Sequence, residues 1–111
     1  MHDLNAVLLA TRKLLPYAPK DIHISWFPAG AFSDFCWGMW HYHADDGHWI
    51  GIHDSAKKAP RYVVEYLVGH EVLHATFPPR RGAKRLHSKA FLVADALLPG
   101  AAKAKMWLDR A

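Results

Sequence analysis

The chain has 111 residues, of which 51% are hydrophobic and 22% charged, and its formal net charge is +4. This length and composition predict a single domain over residues 1–111 with one hydrophobic core, and they exclude a disordered chain. No apolar stretch is long enough to span a membrane, so no membrane partner is expected. The single cysteine excludes an internal disulfide and favours a reducing, cytoplasmic location.

The predicted elements run helix, three strands, then three helices. Apolar residues at helical spacing predict a helix over residues 2–15, whose apolar run is too short for a signal peptide. Alternation predicts strands over residues 22–27, 35–43 and 48–54, and the segment Asp45-Asp46-Gly47 favours a hairpin between the last two. We therefore expect an α+β fold, with a small antiparallel three-stranded sheet and helices packed on one of its faces.

The third quarter of the chain contains the motif HExxH. It places His70, Glu71 and His74 inside the apolar run YLVGHEVLHATF. Helical residues four apart share one face, about 6 Å apart along the axis, so the two imidazoles can bind one metal ion. Glu71 points about 100° away around the helix, where it can reach a water without binding the metal. This arrangement is typical of a zinc hydrolase.

A zinc site of this kind needs a third protein ligand, and His87 is the leading candidate. Two consecutive prolines end the motif helix, and His87 then begins the apolar face of a second helix predicted over residues 86–98. Ser88 could instead cap that helix and leave His87 just outside it. The alternative for His87 is a partly buried histidine bonded to a carbonyl, with Asp95 as the substitute ligand.

The segments HEVLH and HSKAF together resemble the minimal zincin metallopeptidases, which include the SprT-like and YgjP-like groups and small phage metallopeptidases. The resemblance covers about residues 64–91, with a longer linker between the second and third histidines than in the YgjP-like pattern. It implies a zincin-like fold in which His70, His74 and His87 bind Zn²⁺. It also implies that Glu71 is the catalytic base and that the substrate is a peptide or protein.

Two residues or segments near the motif have both a functional and a structural interpretation. In zincins the substrate peptide adds to an edge strand, and residues 48–54 are the candidate strand because they lie nearest the motif helix in sequence. They could equally be an ordinary hairpin arm. Tyr66 lies one turn before His70 and either stabilises an oxyanion or belongs to the core.

The hairpin region also contains residues that could bind metal. Its histidines could form a second metal site. The favoured interpretation, however, is that they are solvent-exposed polar residues on a half-buried strand. These histidines are His41, His43, His48 and His53. Cys36 could serve as a ligand, as in peptide deformylases, but the chain lacks the glycine-rich and glutamine-bearing motifs of those enzymes.

Basic residues cluster around the third ligand candidate, and they include Arg80, Arg81, Lys84, Arg85 and Lys89. A solvated loop is the favoured interpretation, and a patch for acidic substrates or a nucleic-acid backbone is the alternative. No recognisable DNA-binding fold accompanies these residues.

The sequence therefore predicts a zinc-dependent peptidase, in which Zn²⁺ lowers the pKa of a bound water and Glu71 accepts its proton. The alternative is a catalytically silent, zinc-stabilised binding or regulatory domain. A nucleic-acid-associated accessory protein is a third hypothesis. The presence of Glu71 favours the enzyme, because a purely structural zinc site has no use for this carboxylate.

Overall fold

The computed structural model describes residues 2–28, 30, 36–78 and 87–111. The order of its elements agrees with the predicted order, with one short 3₁₀ helix added before the motif helix. The helices are α1 (Leu4–Leu14), α2 (Arg61–Thr76), α3 (Lys89–Ala96) and α4 (Ala101–Arg110), the strands are β1 (Ile22–Phe27), β2 (Gly38–His43) and β3 (Gly47–His53), and the 3₁₀ helix is Asp54–Lys58. No helix in the described ranges combines the length and apolar character needed to cross a bilayer.

The three strands form one mixed sheet in the order β1-β3-β2. β2 and β3 form the predicted antiparallel hairpin, but β1 pairs with β3 in parallel. The prediction of a wholly antiparallel sheet is therefore wrong for this pair. Side chains alternate with a period of two in both kinds of pairing, so the pattern of apolar residues carried no information on strand direction.

The prediction that residues 48–54 form a substrate-binding edge strand is also wrong. These residues lie in β3 and the start of the 3₁₀ helix, and β3 is the central strand, with partners on both sides. Its backbone donors and acceptors are already used by β1 and β2, so no further strand can add there. Among the described strands, β1 and β2 form the edges of the sheet.

The α+β class with a three-stranded sheet is confirmed. Ile22, Ile50 and Ile52 lie on the sheet face that contributes to the helix-covered core. The opposite face leaves His23 and His41 exposed, as the alternation of apolar and polar residues predicted.

The motif helix α2 is the centre of the fold. Of its 16 residues, ten are buried, and they face the sheet as well as α1, α3 and α4. A helix that is apolar on nearly every side belongs in the interior. It ends at Thr76, close to the predicted stop before the two prolines. The site motif is therefore carried by the most enclosed element of the described chain.

The hairpin turn gives a prediction on stability. Gly47 has a φ of +88°, and a Cβ there would lie 2.7 Å from the backbone oxygen of Asp21. Gly47→Ala should lower the free energy of unfolding by about 1–3 kcal/mol, measured by denaturant titration. The control is Gly30→Ala, at φ +84° with nothing within 4 Å of the added Cβ. An equal loss in both variants would show that the contact with Asp21 is unimportant.

Candidate metal centre

Helix α2 brings His70 and His74 onto one face, with ring centroids 5.0 Å apart. His87 comes from the segment just before α3. The hydroxyl of Ser88 caps α3 by accepting a hydrogen bond from the Phe91 amide at 3.1 Å. His87 therefore lies just before the capping residue and two residues before the start of α3, which decides between the two positions that the sequence allowed.

The three predicted ligand side chains converge. One candidate ligand nitrogen from each of His70, His74 and His87 lies within 4.8 Å of the other two. The Nε2 atoms of His74 and His87 are 3.2 Å apart. Among the residues that the structure describes, these three form the one group of this kind.

The donor set suits a borderline metal such as zinc. Three imidazoles at Zn–N distances of about 2.1 Å leave a fourth tetrahedral position open, and two such nitrogens are then about 3.4 Å apart. The separation of 3.2 Å between His74 and His87 already matches this value. The cluster thus fits a metal ion, while the identity of that ion stays a prediction.

Electrostatics keeps the cluster ready to bind a cation. Burial, together with the charges of His70 and His87, lowers the pKa of His74 to about 4. The pKa of His87 is lowered as well, by burial and by His70. Metal ligands must be unprotonated, so side chains that resist protonation at neutral pH keep their lone pairs available.

Asp95 lies behind His70. The Nδ1 atom of His70 donates a hydrogen bond to Oδ1 of Asp95 at 2.9 Å, which leaves Nε2 for a metal. The substitute ligand is therefore not among the converging groups but on the opposite nitrogen of one of them. Metal-binding histidines commonly use such a carboxylate to fix the tautomer and the ring orientation.

Two further groups bind the other oxygen of Asp95. The hydroxyl of Tyr66 donates to Oδ2 at 3.0 Å, and Nζ of Lys105 lies 3.0 Å from the same atom. Burial opposes ionisation of Asp95, but the hydrogen bonds from His70, Lys105 and Tyr66 outweigh it and lower the Asp95 pKa to about 2. Burial and the charge of Asp95 raise the pKa of Tyr66, so Tyr66 stays a donor. This hydroxyl is committed to Asp95, which favours the core interpretation of Tyr66.

Glu71 directly follows His70 in α2, and only 5% of its surface is exposed. Burial raises the pKa of Glu71 to about 7, and His70 partly opposes this shift. Its carboxylate packs against the start of β2, where a Cβ on Gly38 would lie 2.8 Å from Oε2. This contact could not be predicted from the sequence, because Gly38 looked like one more residue of an aromatic strand.

Aromatic rings enclose the histidines. Phe91 is fully buried, and its ring lies 4.3 Å from His87, 4.6 Å from His74 and 5.1 Å from His70, measured between centroids. Trp40 of β2 lies nearly parallel to His74, with centroids 6.3 Å apart. These contacts restrict the motion of the imidazoles and exclude water from the side of the cluster that faces the core.

Within the described ranges, the other histidines and Cys36 do not form a second group that could bind a metal ion. His48 accepts a hydrogen bond from the Trp40 indole at 3.0 Å, and His53 accepts one from the Ser55 amide. Cys36 is half-buried and is not grouped with the three histidines. The basic cluster falls largely outside the described residues, which include Lys89 but not Arg80, Arg81, Lys84 or Arg85.

Comparison with known proteins gave no match to a family model, to a curated protein or to a solved structure. The resemblance to minimal zincins therefore depends on the HEVLH and HSKAF segments alone. The geometry of the site is independent of that resemblance, since it follows from where the fold places the side chains.

A first prediction from the site concerns the metal. Protein purified without added metal should contain about one equivalent of zinc by elemental analysis. Asp95→Asn should weaken zinc binding about 10–100-fold, because His70 loses its orienting carboxylate. His87→Ala should weaken it further, and the control is His41→Ala on the exposed sheet face. Unchanged zinc affinity in His87→Ala would exclude His87 as a ligand.

A second prediction concerns the contact between Gly38 and Glu71. In metal-free protein, Gly38→Ala should lower the stability towards denaturant, but it should cost less when combined with Glu71→Ala, which removes the contacting atoms. We expect a coupling of about 0.5–3 kcal/mol. The control is Gly51→Ala, whose Cβ would meet Phe27 instead, and its cost should not depend on residue 71. Additive costs for Gly38→Ala would contradict this contact.

Proposed function

We propose that the protein is a zinc-dependent peptidase that hydrolyses peptide bonds with Glu71 as the general base. The observation that carries the proposal is the set of three converging imidazoles, together with the buried carboxylate of Glu71, which shares a pocket wall with His70. Zinc bound there would supply a Lewis acid that makes a water molecule more acidic and polarises a carbonyl. The proposed substrate is accordingly a peptide or protein.

The side chains of the chain have distinct roles in this proposal. His70, His74 and His87 hold the cation, and Asp95 holds His70 in the required tautomer. Glu71 accepts a proton from the attacking water and passes it to the leaving amine. Gly38 has no side chain, which leaves room for the Glu71 carboxylate at the start of β2.

The number of ligands favours a catalytic site over a structural one. Structural zinc sites are closed by four protein ligands, whereas catalytic sites use three and keep one position for water or substrate. The described residues bring three candidate ligands together. A zinc-stabilised binding domain without turnover is the competing proposal, and it gives no role to Glu71.

Binding of nucleic acid and a cytoplasmic location remain proposals that depend on the sequence alone. The four basic residues that would hold a phosphate backbone lie outside the described part of the chain. A cytoplasmic location agrees with the presence of a single cysteine in the sequence, which excludes an internal disulfide.

The decisive variant is Glu71→Gln. It keeps the shape of the side chain but removes the proton acceptor, so cleavage of a peptide library should fall at least about 100-fold. Zinc content and melting temperature should change little. Mass spectrometry of the products measures cleavage, and Glu65→Gln, an exposed position on the same helix, is the matched control.

The two competing proposals give different results in this experiment. Cleavage by the wild type that disappears in Glu71→Gln supports the peptidase. A full equivalent of zinc without cleavage of any peptide supports the binding domain. Loss of zinc in Glu71→Gln would instead make Glu71 a ligand.

A further inference from the structure

A groove of about 700 Å³ lies between the C-terminal end of α1 and helix α3. We name it the α1–α3 groove, and its large apolar lining residues are Leu14, Leu15, Tyr17, Val93, Leu97 and Leu98. None of the candidate metal ligands lines it, and neither does Glu71. The proposed peptidase chemistry therefore gives this groove no role.

The walls of the α1–α3 groove expose large apolar side chains to water. The exposed fraction is 56% for Leu14, 57% for Tyr17, 55% for Val93 and 78% for Leu97. These are four of the nine exposed large apolar side chains in the part of the chain that the structure describes. Soluble proteins rarely leave a contiguous apolar surface uncovered unless it binds a partner. The groove is therefore a candidate docking surface.

The charges at the rim of the groove are positive. Lys89 lines the groove and is the first residue of α3, while Lys13 directly precedes Leu14 in the last turn of α1. Both lysines are exposed, and within the described ranges neither takes part in an ion pair. Their charges are thus available to a ligand.

The carboxylates on the neighbouring helices are already paired. Asp95 of α3 is buried and bonded to His70 and Lys105. Glu65 of α2 lines a small adjoining pocket, and its Oε1 lies 3.5 Å from Nε of Arg61. The potential at the groove is therefore positive, which favours a partner that carries negative charge.

The shape of the groove favours a helix as the occupant. Helices bound it, so an extended peptide could not add there as a further strand of the sheet. Its lining on α3 runs from Lys89 to Leu97, which is about 12 Å at 1.5 Å per residue. Over that length an amphipathic helix presents apolar residues at positions i, i+3, i+4 and i+7. We propose that the α1–α3 groove binds an amphipathic helix of a partner protein, with Asp or Glu beside its apolar stripe.

Other occupants fit the groove less well. A two-fold contact with a second copy of the chain would bring two positively charged rims together. A flat bilayer does not fill a concave groove. A fatty acid could place its carboxylate near Lys89, but its chain would stay partly in water, because the Leu97 wall is itself mostly exposed.

The test uses three pools of stapled helical peptides of about 16 residues, since unstapled helices of this length are only marginally stable. All pools carry the same apolar stripe, and its flanking residues are Glu, Gln or Lys. Binding to the full chain is measured by fluorescence anisotropy. The Glu pool should bind at least about fivefold more tightly than the Lys pool at low salt, and the difference should shrink in about 1 M salt. No binding, or no preference for the Glu pool, would overturn the proposal.

Variants of exposed residues locate the binding surface. Leu97→Glu should weaken binding of the Glu pool at least about tenfold, because it places a carboxylate in the apolar contact. Its control is Leu92→Glu, at a position on the same helix that is 49% exposed and does not line the groove. Val93→Glu gives a second measurement on the same wall if Leu97→Glu does not fold. Equal losses in the groove variants and in Leu92→Glu would contradict the proposed surface.

A charge reversal tests the rim. Lys89→Glu should reverse the order of the Glu and Lys pools. Lys58→Glu alters the net charge by the same amount at an exposed position of the 3₁₀ helix, and it should keep the order. An order that Lys89→Glu leaves unchanged would show that this lysine does not select the partner, and the proposal would fall.

Two further measurements cover the other occupants. Dodecanoate binding that Leu97→Glu abolishes, with no peptide bound, would assign the groove to a lipid. A dimer that Leu97→Glu dissociates in sedimentation, again with no peptide bound, would assign it to a second copy. Either result overturns the proposal. None of these experiments measures cleavage or metal content, so their outcome is independent of the peptidase proposal.

Discussion

The structure depends on burying a helix that carries polar and ionisable groups. Helix α2 contacts the sheet and the other three helices, and most of its surface is removed from water. His70, Glu71 and His74 lie at its C-terminal half. A buried polar group is costly unless it is hydrogen-bonded or bound to a cation. We interpret the arrangement of the neighbouring elements as the means by which the fold offsets the free-energy cost of burying these groups.

Asp95 is the side chain that joins these elements. It lies on α3, accepts hydrogen bonds from His70 and Tyr66 of α2, and pairs with Lys105 of α4. One carboxylate thus links three helices through hydrogen-bonded, largely buried contacts. Such a network strengthens its members when all are satisfied, and it fixes the orientation of the groups it holds. Through Lys105, α4 is joined to the same carboxylate that orients the His70 ring.

The sheet contributes to the site through its edge strand rather than its central one. β2 begins with Gly38 against the carboxylate of Glu71 and continues with Trp40 beside His74. Gly38 thus shapes one side of the site by having no side chain, and Trp40 shapes the other with its large ring. β3, which lies between β1 and β2, mainly supplies core residues such as Ile50 and Ile52.

The candidate site was predictable to a large extent because its signals are local. The spacing of His70 and His74 is a property of any α-helix, and the apolar residues around them require burial, so both the helix and its ligand face follow from sequence. The α+β class and the order of the elements follow in the same way from periodicity and from turn residues. His87 was a candidate through the apolar face of the segment that follows it.

The helices, the strands and the candidate site residues could be predicted from the sequence alone, because each depends on residues near one another along the chain. The candidate site residues are the three histidines and Glu71. The tertiary structure decided that β1 runs parallel to β3, that Asp95 lies behind His70, and that Gly38 touches Glu71. These are contacts between residues far apart in sequence. The alternation of side chains along a strand has a period of two whether the strand runs parallel or antiparallel to its neighbour. The residues around a carboxylate or a glycine likewise do not indicate which distant residue it will contact. Only the packing of whole elements around α2 brings such groups within hydrogen-bonding or van der Waals distance.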